Sequence, residues 1–335
     1  MATIKTAFRN RSLLILVAAE TVSAVGNWIS TVAIYSLLIF RGGGGVSQTS
    51  GFLLAALVPL LLCSPVAGWL CDRFDRRGLM IGSELLSGLA VAGLILTTRL
   101  PLIYLLVAVQ SAVGAVMTPA RRTVVPLLVD PADLSRVNAV LQQLAGLVKI
   151  GAPVLAGGLL ALVSPRQAMV LDVISFAVSA AVLSLLPPLR GRQAVAVRQD
   201  RPGRSPTSVL REVPLLRLMV PIHFLFAFVI ISLEAAMPAL VRDVLRGREG
   251  QFGLQVGLVG LGTMAGALVL MVRRGKPDLL RETLLGALLL VAFPAGAGLA
   301  VWAGGTLVGH AALMAGALVG GVGSGVTAVQ ATTLV

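Results

Sequence analysis

Charge is scarce in this sequence. Only 12% of its 335 residues are Asp, Glu, Lys or Arg, against roughly 25% in a soluble domain. From Thr283 to Val335 there is none at all. Aromatic residues make up 4%, which gives little sign of an aromatic cage for a cationic ligand. Cysteine is limited to Cys63 and Cys71. At helical spacing these two lie about 12 Å apart along the axis, too far for a disulfide, and no zinc spacing exists. The sequence has no P-loop, no Ser-His-Asp arrangement and no H-E-x-x-H. No catalytic set emerges, no cofactor is expected, and the lack of a Walker motif argues against ATP-driven transport within this chain.

Apolar residues fill the space that charge leaves. They make up 57% of the chain, and the mean hydropathy is +0.94. Runs of about 20 mostly uncharged residues recur along the whole length, each long enough to cross a bilayer. Backbone groups in lipid must be satisfied within the segment, so the spans are helices. The expected fold class is an all-α membrane protein, a polytopic helical bundle. Ten segments are predicted: 13–39, 51–71, 79–98, 101–120, 137–162, 166–187, 218–240, 252–272, 283–303 and 306–330. Lys5, Arg9 and Arg11 precede the first. That run is too long for a signal-peptide core and has no clear cleavage site, so it reads as a membrane helix.

The net charge of +13 admits two readings, a nucleic-acid binder or the positive-inside bias of a membrane protein. The basic residues have no aromatic interleaving, which gives no support for nucleic acid. With the N-terminus inside, the cytoplasmic segments hold 20 Lys and Arg and the outer loops hold six, with Lys149 inside a segment. That bias predicts a multi-pass inner-membrane protein with a cytoplasmic N-terminus. Residues 189–217 are polar, with Gly, Pro and seven Arg, and read as a cytoplasmic linker. They divide a six-helix bundle, 1–188, from a partial four-helix bundle, 218–335.

Between the second and third segments lies Gly68-Trp69-Leu70-Cys71-Asp72-Arg73-Phe74-Asp75-Arg76-Arg77-Gly78. Five charges in six residues cannot lie in hydrocarbon, so this is a tight hydrophilic turn at one membrane face. The form G-x-L-x-D-R-x-x-R-R resembles the signature loop of the major facilitator superfamily of transporters. Asp75 stands where that signature usually has glycine, a variant similar to the exporter branch that includes the enterobactin-exporter-like proteins. Met117-Thr118-Pro119-Ala120-Arg121, Val125-Pro126, Arg136-Val137-Asn138-Ala139 and Pro238–Leu245 resemble other stretches of the same branch. The resemblance implies twelve membrane helices in two bundles of six, of which about ten are present here. The uncharged end at Val335 is then expected to mark a C-terminally incomplete pattern.

The resemblance further implies a conformational latch at Gly68, Asp72, Arg73, Arg76 and Arg77, with Glu84 as a partner for the arginines. In the family the aspartate faces a later helix that has no counterpart here. A topogenic basic loop is the plainer alternative. Ionisable groups inside membrane segments are costly and are functional candidates by default. Glu20 is a proton carrier or a substrate counter-charge, or an interfacial carboxylate paired with a neighbouring Arg. Asn27-Trp28 stands where the branch often has Asp-Trp. Lys149 lies deep in the fifth segment, as an anion or proton-site group or as half of a structural ion pair. Glu84 and Asp172 match acidic positions of the branch and are expected to pair with loop arginines. Glu234 is a candidate gate or reader of a cationic substrate, or a snorkelling carboxylate. His223 and His310 are either groups that titrate near neutral pH or, as is more usual for a lone His in a membrane helix, hydrogen-bonded packing residues.

Ala152-Pro153-Val154-Leu155-Ala156-Gly157-Gly158 resembles an antiporter signature, with alanine at two glycine positions. Pro153 and Gly157 are expected to bend the fifth segment, or simply to let helices approach. Proton antiporters of the family carry arginine four residues before a glycine in the fourth segment. Gln110 stands there, ahead of Gly114. Proton coupling would then fall to Glu20, Lys149 or Glu234. The expected function is secondary transport by alternating access, with a small amphipathic drug or siderophore-like molecule exported against protons. A non-transporting scaffold is the rival.

Overall fold

The computed structural model describes residues 10–131, 133–187, 214–272 and 279–333. Lys5 and Arg9, most of the 189–217 linker, and the basic stretch 273–276 lie outside the described residues, as does the side chain of His223. Among the described residues all regular structure is helical. The helices are α1 Arg11–Tyr35, α2 Val46–Arg73, α3 Arg76–Leu96, α4 Leu100–Gly114, α5 Met117–Leu128 and α6 Leu134–Leu159. They continue with α7 Pro165–Leu183, α8 Pro214–Asp243, α9 Glu249–Val272, α10 Leu279–Leu290, α11 Ala292–Ala303 and α12 Leu307–Thr333.

These form ten segments long and apolar enough to cross a membrane. Two are interrupted: α4 and α5 share Leu100–Leu128, and α10 and α11 share Leu280–Ala303. The sequence reading ended the fourth segment at 120 and put Arg121 and Arg122 in a loop. They lie instead on α5, which carries the helix on to Leu128.

Helix starts follow local chemistry. The Asn10 side chain accepts from the Ser12 and Leu13 amides and opens α1. Ser164 and Gln167 form a reciprocal capping box at α7, followed by Pro165 in the first turn, where a missing N–H costs nothing. The first span ends in a π-helical turn, Ser36–Phe40. The glycine run after it turns the chain at Gly43, whose φ of +67° suits only glycine.

The helices form two compact units. Unit 1 comprises Met1–Leu38, Ser47–Val148 and Leu159–Arg198. In it α7 packs against both α1 and α3, and α3 also meets α4 and α5. Its core joins Leu13, Leu16, Met80, Val124, Leu141 and Leu183. Unit 2 comprises Ile39–Val46, Lys149–Gly158 and Gln199–Val335, with α9, α10 and α11 all packed on α12. Glycine permits that closeness. A Cβ on Gly262 would sit 2.1 Å from the Leu318 carbonyl oxygen, and one on Gly266 2.2 Å from that of Val322. Small residues of this kind let membrane helices approach where no water drives them together. Large apolar side chains face outward, among them Leu89, Leu96 and Trp302. Such a surface suits hydrocarbon rather than water.

Candidate functional site

The charged turn between α2 and α3 is compact. α2 runs to Arg73, and the Phe74 amide still donates to the Leu70 carbonyl at 2.9 Å. Asp75 is the N-cap of α3: its side chain accepts from the Gly78 amide at 3.1 Å. Its φ of −62° needs no glycine. A carboxylate at a helix start also meets the positive end of the helix dipole. The departure from the usual glycine therefore has a structural cause.

The arginines of this turn have different neighbours. Arg73 lies over the Trp69 ring, 4.8 Å from its centroid. Arg77 donates to the carbonyl of Ser184, just past the last turn of α7, where a cation meets the negative end of the dipole. Arg76 is buried, and its Nε has no hydrogen-bond partner. Asp72 is exposed, and nothing lies within 4 Å of where a Cβ on Gly68 would stand, one turn earlier on α2.

Glu84 was expected beside these arginines. It is instead buried within unit 1, flanked by Ser23, Ser179 and Asp172. Position 84 lies about 12 Å up α3 from Arg76, too far along the axis to share the turn. Asp172 is fully buried on α7, and it too departs from the expected arginine pairing. Its Oδ1 accepts from the Ser175 hydroxyl at 3.1 Å. Gly26 on α1 closes over this spot: a Cβ there would lie 2.4 Å from Asp172 Oδ1 and 1.9 Å from Ser175 Oγ. Convergence of α1, α3 and α7 on two acids is the feature that sequence reasoning missed. A serine stripe was its available signal, at positions 23 and 30 of α1 and 175 and 179 of α7.

Glu20 has an arginine beside it. Its Oε2 is 3.5 Å from Arg121 Nη1 on α5, with both side chains partly exposed. Asn27 and Gln110, the two positions where this chain carries an amide instead of the charged residue of its resemblance, bond to each other. Gln110 Nε2 donates to Asn27 Oδ1 at 3.2 Å. The contact between α1 and α4 at this level is thus made by two neutral amides.

Unit 2 holds the remaining candidates. Lys149 lies on α6 and Glu234 on α8. Pro153 lies inside α6, which runs unbroken to Leu159. Around it the helix approaches α9 through glycine. A Cβ on Gly253 would lie 2.4 Å from the Pro153 carbonyl oxygen, and one on Gly157 3.0 Å from that of Glu249. At the start of α9, Glu249 is 3.4 Å from Arg41, and Phe252 packs 6.3 Å from Phe40. Arg242 donates to the Ile39 carbonyl. The turn at 39–46 is therefore anchored to α8 and α9 by side chains.

Comparison with known proteins adds to this geometry. The family model described as Major Facilitator Superfamily matches residues 13–335. The uncharacterized MFS-type transporter YfiS of Bacillus subtilis is 30% identical over 184 residues, 55% of this chain and 44% of the relative. Macrolide efflux protein A of Streptococcus pyogenes is 26% identical over 263 residues, 76% of this chain and 64% of the relative. The multidrug efflux pump Tap of Mycobacterium tuberculosis is 28% identical over 182 residues, 51% of this chain and 43% of the relative. The matches thus span from 43% to 64% of these relatives' lengths.

Among solved structures, the nucleoside transporter NupG aligns with a TM-score of 0.72 at 11% identity, over 97% of this chain and 81% of the other. A bacterial homologue of the iron transporter ferroportin, in an inward-facing state, aligns at 0.69 with 18% identity, over 98% and 83%. At these identities the likeness concerns the fold alone.

Proposed function

We propose, from the premise that the chain belongs to the major facilitator superfamily, that it exports a small amphipathic molecule in exchange for protons, by alternating access. Relatives named for macrolide and multidrug efflux support the direction and the substrate class. A drug-like or siderophore-like compound fits the exporter branch that the Asp75 variant resembles. The observation that carries the coupling is the set of ionisable side chains held inside the spans, the Glu20–Arg121 pair and, in unit 2, Lys149 and Glu234. Groups so costly in a bilayer persist where ions or substrates pass. Glu20, Asn27, Lys149 and Glu234 are the proposed lining of the substrate and proton pathway.

The loop residues Gly68, Asp72, Arg73, Arg76 and Arg77 form the proposed latch, and Pro153 with Gly157 the point about which α6 adjusts. The protein sits in the cell membrane with its N-terminus in the cytoplasm, in keeping with the Lys and Arg bias. Its working bundles are residues 1–188 and 218–335, joined by the linker 189–217. Everted membrane vesicles containing the full chain test the reading. They should accumulate labelled erythromycin when a pH gradient is imposed, and a protonophore should abolish that accumulation. Uptake that continues unchanged after the gradient is collapsed would count against proton coupling.

A further inference from the structure

Three helices of unit 1 bring acids and hydroxyls to one seam. α1 contributes Glu20, Ser23, Gly26 and Ser30, which follow one another along one face at helical spacing. α7 contributes Asp172, Ser175 and Ser179, and α3 contributes Glu84 with the buried Ser83 and Ser87. Glu84 is 3% exposed and Asp172 0%. Glu84 Oε2 and Asp172 Oδ2 have no hydrogen-bond partner. Ser30 lies beside Asp172, and Ser23 and Ser179 beside Glu84, close enough for their hydroxyls to bear on the carboxyls, though the Ser30 and Ser179 hydroxyl oxygens make no hydrogen bond of good geometry. Two carboxylate oxygens and two hydroxyl oxygens are thus buried along this seam without a partner in good geometry.

The charged surroundings of this seam are acidic. Asp172 and Glu20 act on Glu84. Arg121 of α5 is held by Glu20. Among the described residues no Lys or Arg acts on Glu84 or Asp172. Two facing carboxylates with no counter-charge, in a low-dielectric interior, cannot both be ionised. A bound cation small enough for the seam resolves both the charge and the unsatisfied atoms. A proton needs no cage of ligands and supplies the missing hydrogen-bond donor.

We propose that Glu84 and Asp172 form a proton-binding pair in unit 1, which holds one exchangeable proton and passes it along the α1 and α7 hydroxyls. The assignment rests on the exchange reading above for its purpose, because a proton carried here is the one that moves against the exported molecule. It moves the proton site from the partnered Glu20 to two acids that have no cation. Proton transfer here is between oxygens: one carboxyl loses a proton as its neighbour, or a serine hydroxyl chain, accepts it.

Infrared spectroscopy of the full chain in lipid nanodiscs tests the pair without requiring transport. The wild type at neutral pH should carry a protonated-carboxyl C=O band that shifts in D2O. Glu84→Gln and Asp172→Asn should each remove a large part of it. Ser175→Ala, a milder change, should shift the band's frequency while keeping its intensity. No protonated-carboxyl band in the wild type would overturn the proposal, a result that needs no variant to fold. A band unchanged in both acid variants would overturn it too, and so would its loss on addition of NaCl at constant ionic strength, which would make the seam a sodium site. In proteoliposomes, both acid variants should lose pH-driven erythromycin accumulation while keeping erythromycin counterflow. Full pH-driven accumulation by the double variant would refute the assignment. Wild-type protein that moves no erythromycin would sink the export reading, and the infrared band would still decide the site.

Discussion

Asp75 departs from the glycine of the loop signature because it has a task of its own. It caps α3 through the Gly78 amide, and a capping carboxylate replaced by alanine typically costs about 1 kcal/mol. Asp75→Ala should therefore lower the thermal midpoint of the detergent-solubilised protein, while Asp75→Gly should cost only a few tenths of a kcal/mol. A larger loss with glycine than with alanine would show that the carboxylate is not acting as a cap. Asn27 and Gln110 make a similar point about departures. Each by itself lacks a charge that the resemblance implies, and a 3.2 Å bond joins the two. Read singly from the sequence, each was a missing group. Together they keep the contact between α1 and α4 and drop its charge.

At the scale of elements, glycine sets how closely helices lie. Gly253 faces the Pro153 carbonyl oxygen, where a Cβ would stand 2.4 Å away. Backbone cannot yield as a flexible side chain does. Gly253→Ala should destabilise the protein by about 1–3 kcal/mol, the usual cost of overfilling a close contact. Gly298, with nothing within 4 Å of its Cβ position, is the control and should accept alanine at little cost. Equal melting shifts for the two would argue against close approach of α6 and α9.

Much of this architecture was legible in the sequence, since a span announces itself by length and by scarcity of charge. The ten predicted segments correspond to the ten spans, with ends that differ by several residues. The breaks at 115–116 and 291 were not legible, because apolar runs continue across both. Nor was the meeting of Glu84 with Asp172. Nearly every face of these helices is apolar, so no periodicity says which face turns to a neighbour. The two acids lie 88 residues apart in the chain, and only the contact of α3 with α7 unites them. Glu20 was legible as an ionisable group in a span, but its partner Arg121 was read as a loop residue. Once α5 extends to Leu128, that arginine comes within reach.

Over the whole molecule, the family and the helical fold are the firm ground, and exchange of a solute for protons is the claim built on it. Buried acids in unit 1, and Lys149 and Glu234 in unit 2, give each unit its own ionisable groups inside the spans. The stretches Ile39–Val46 and Lys149–Gly158 belong to unit 2, although their helices otherwise lie in unit 1. Within unit 2 the turn at 39–46 is held by Arg242 and Glu249.

Exchange has one direct signature. A protein that alternates between solute and proton must release protons when the solute binds. The decisive measurement is proton release on adding erythromycin to the purified full-length chain in weakly buffered detergent, followed with a pH electrode. The account predicts release near neutral pH, and its loss in Glu84→Gln and Asp172→Asn. Erythromycin binding, seen independently by calorimetry, with no proton released at any pH would contradict it.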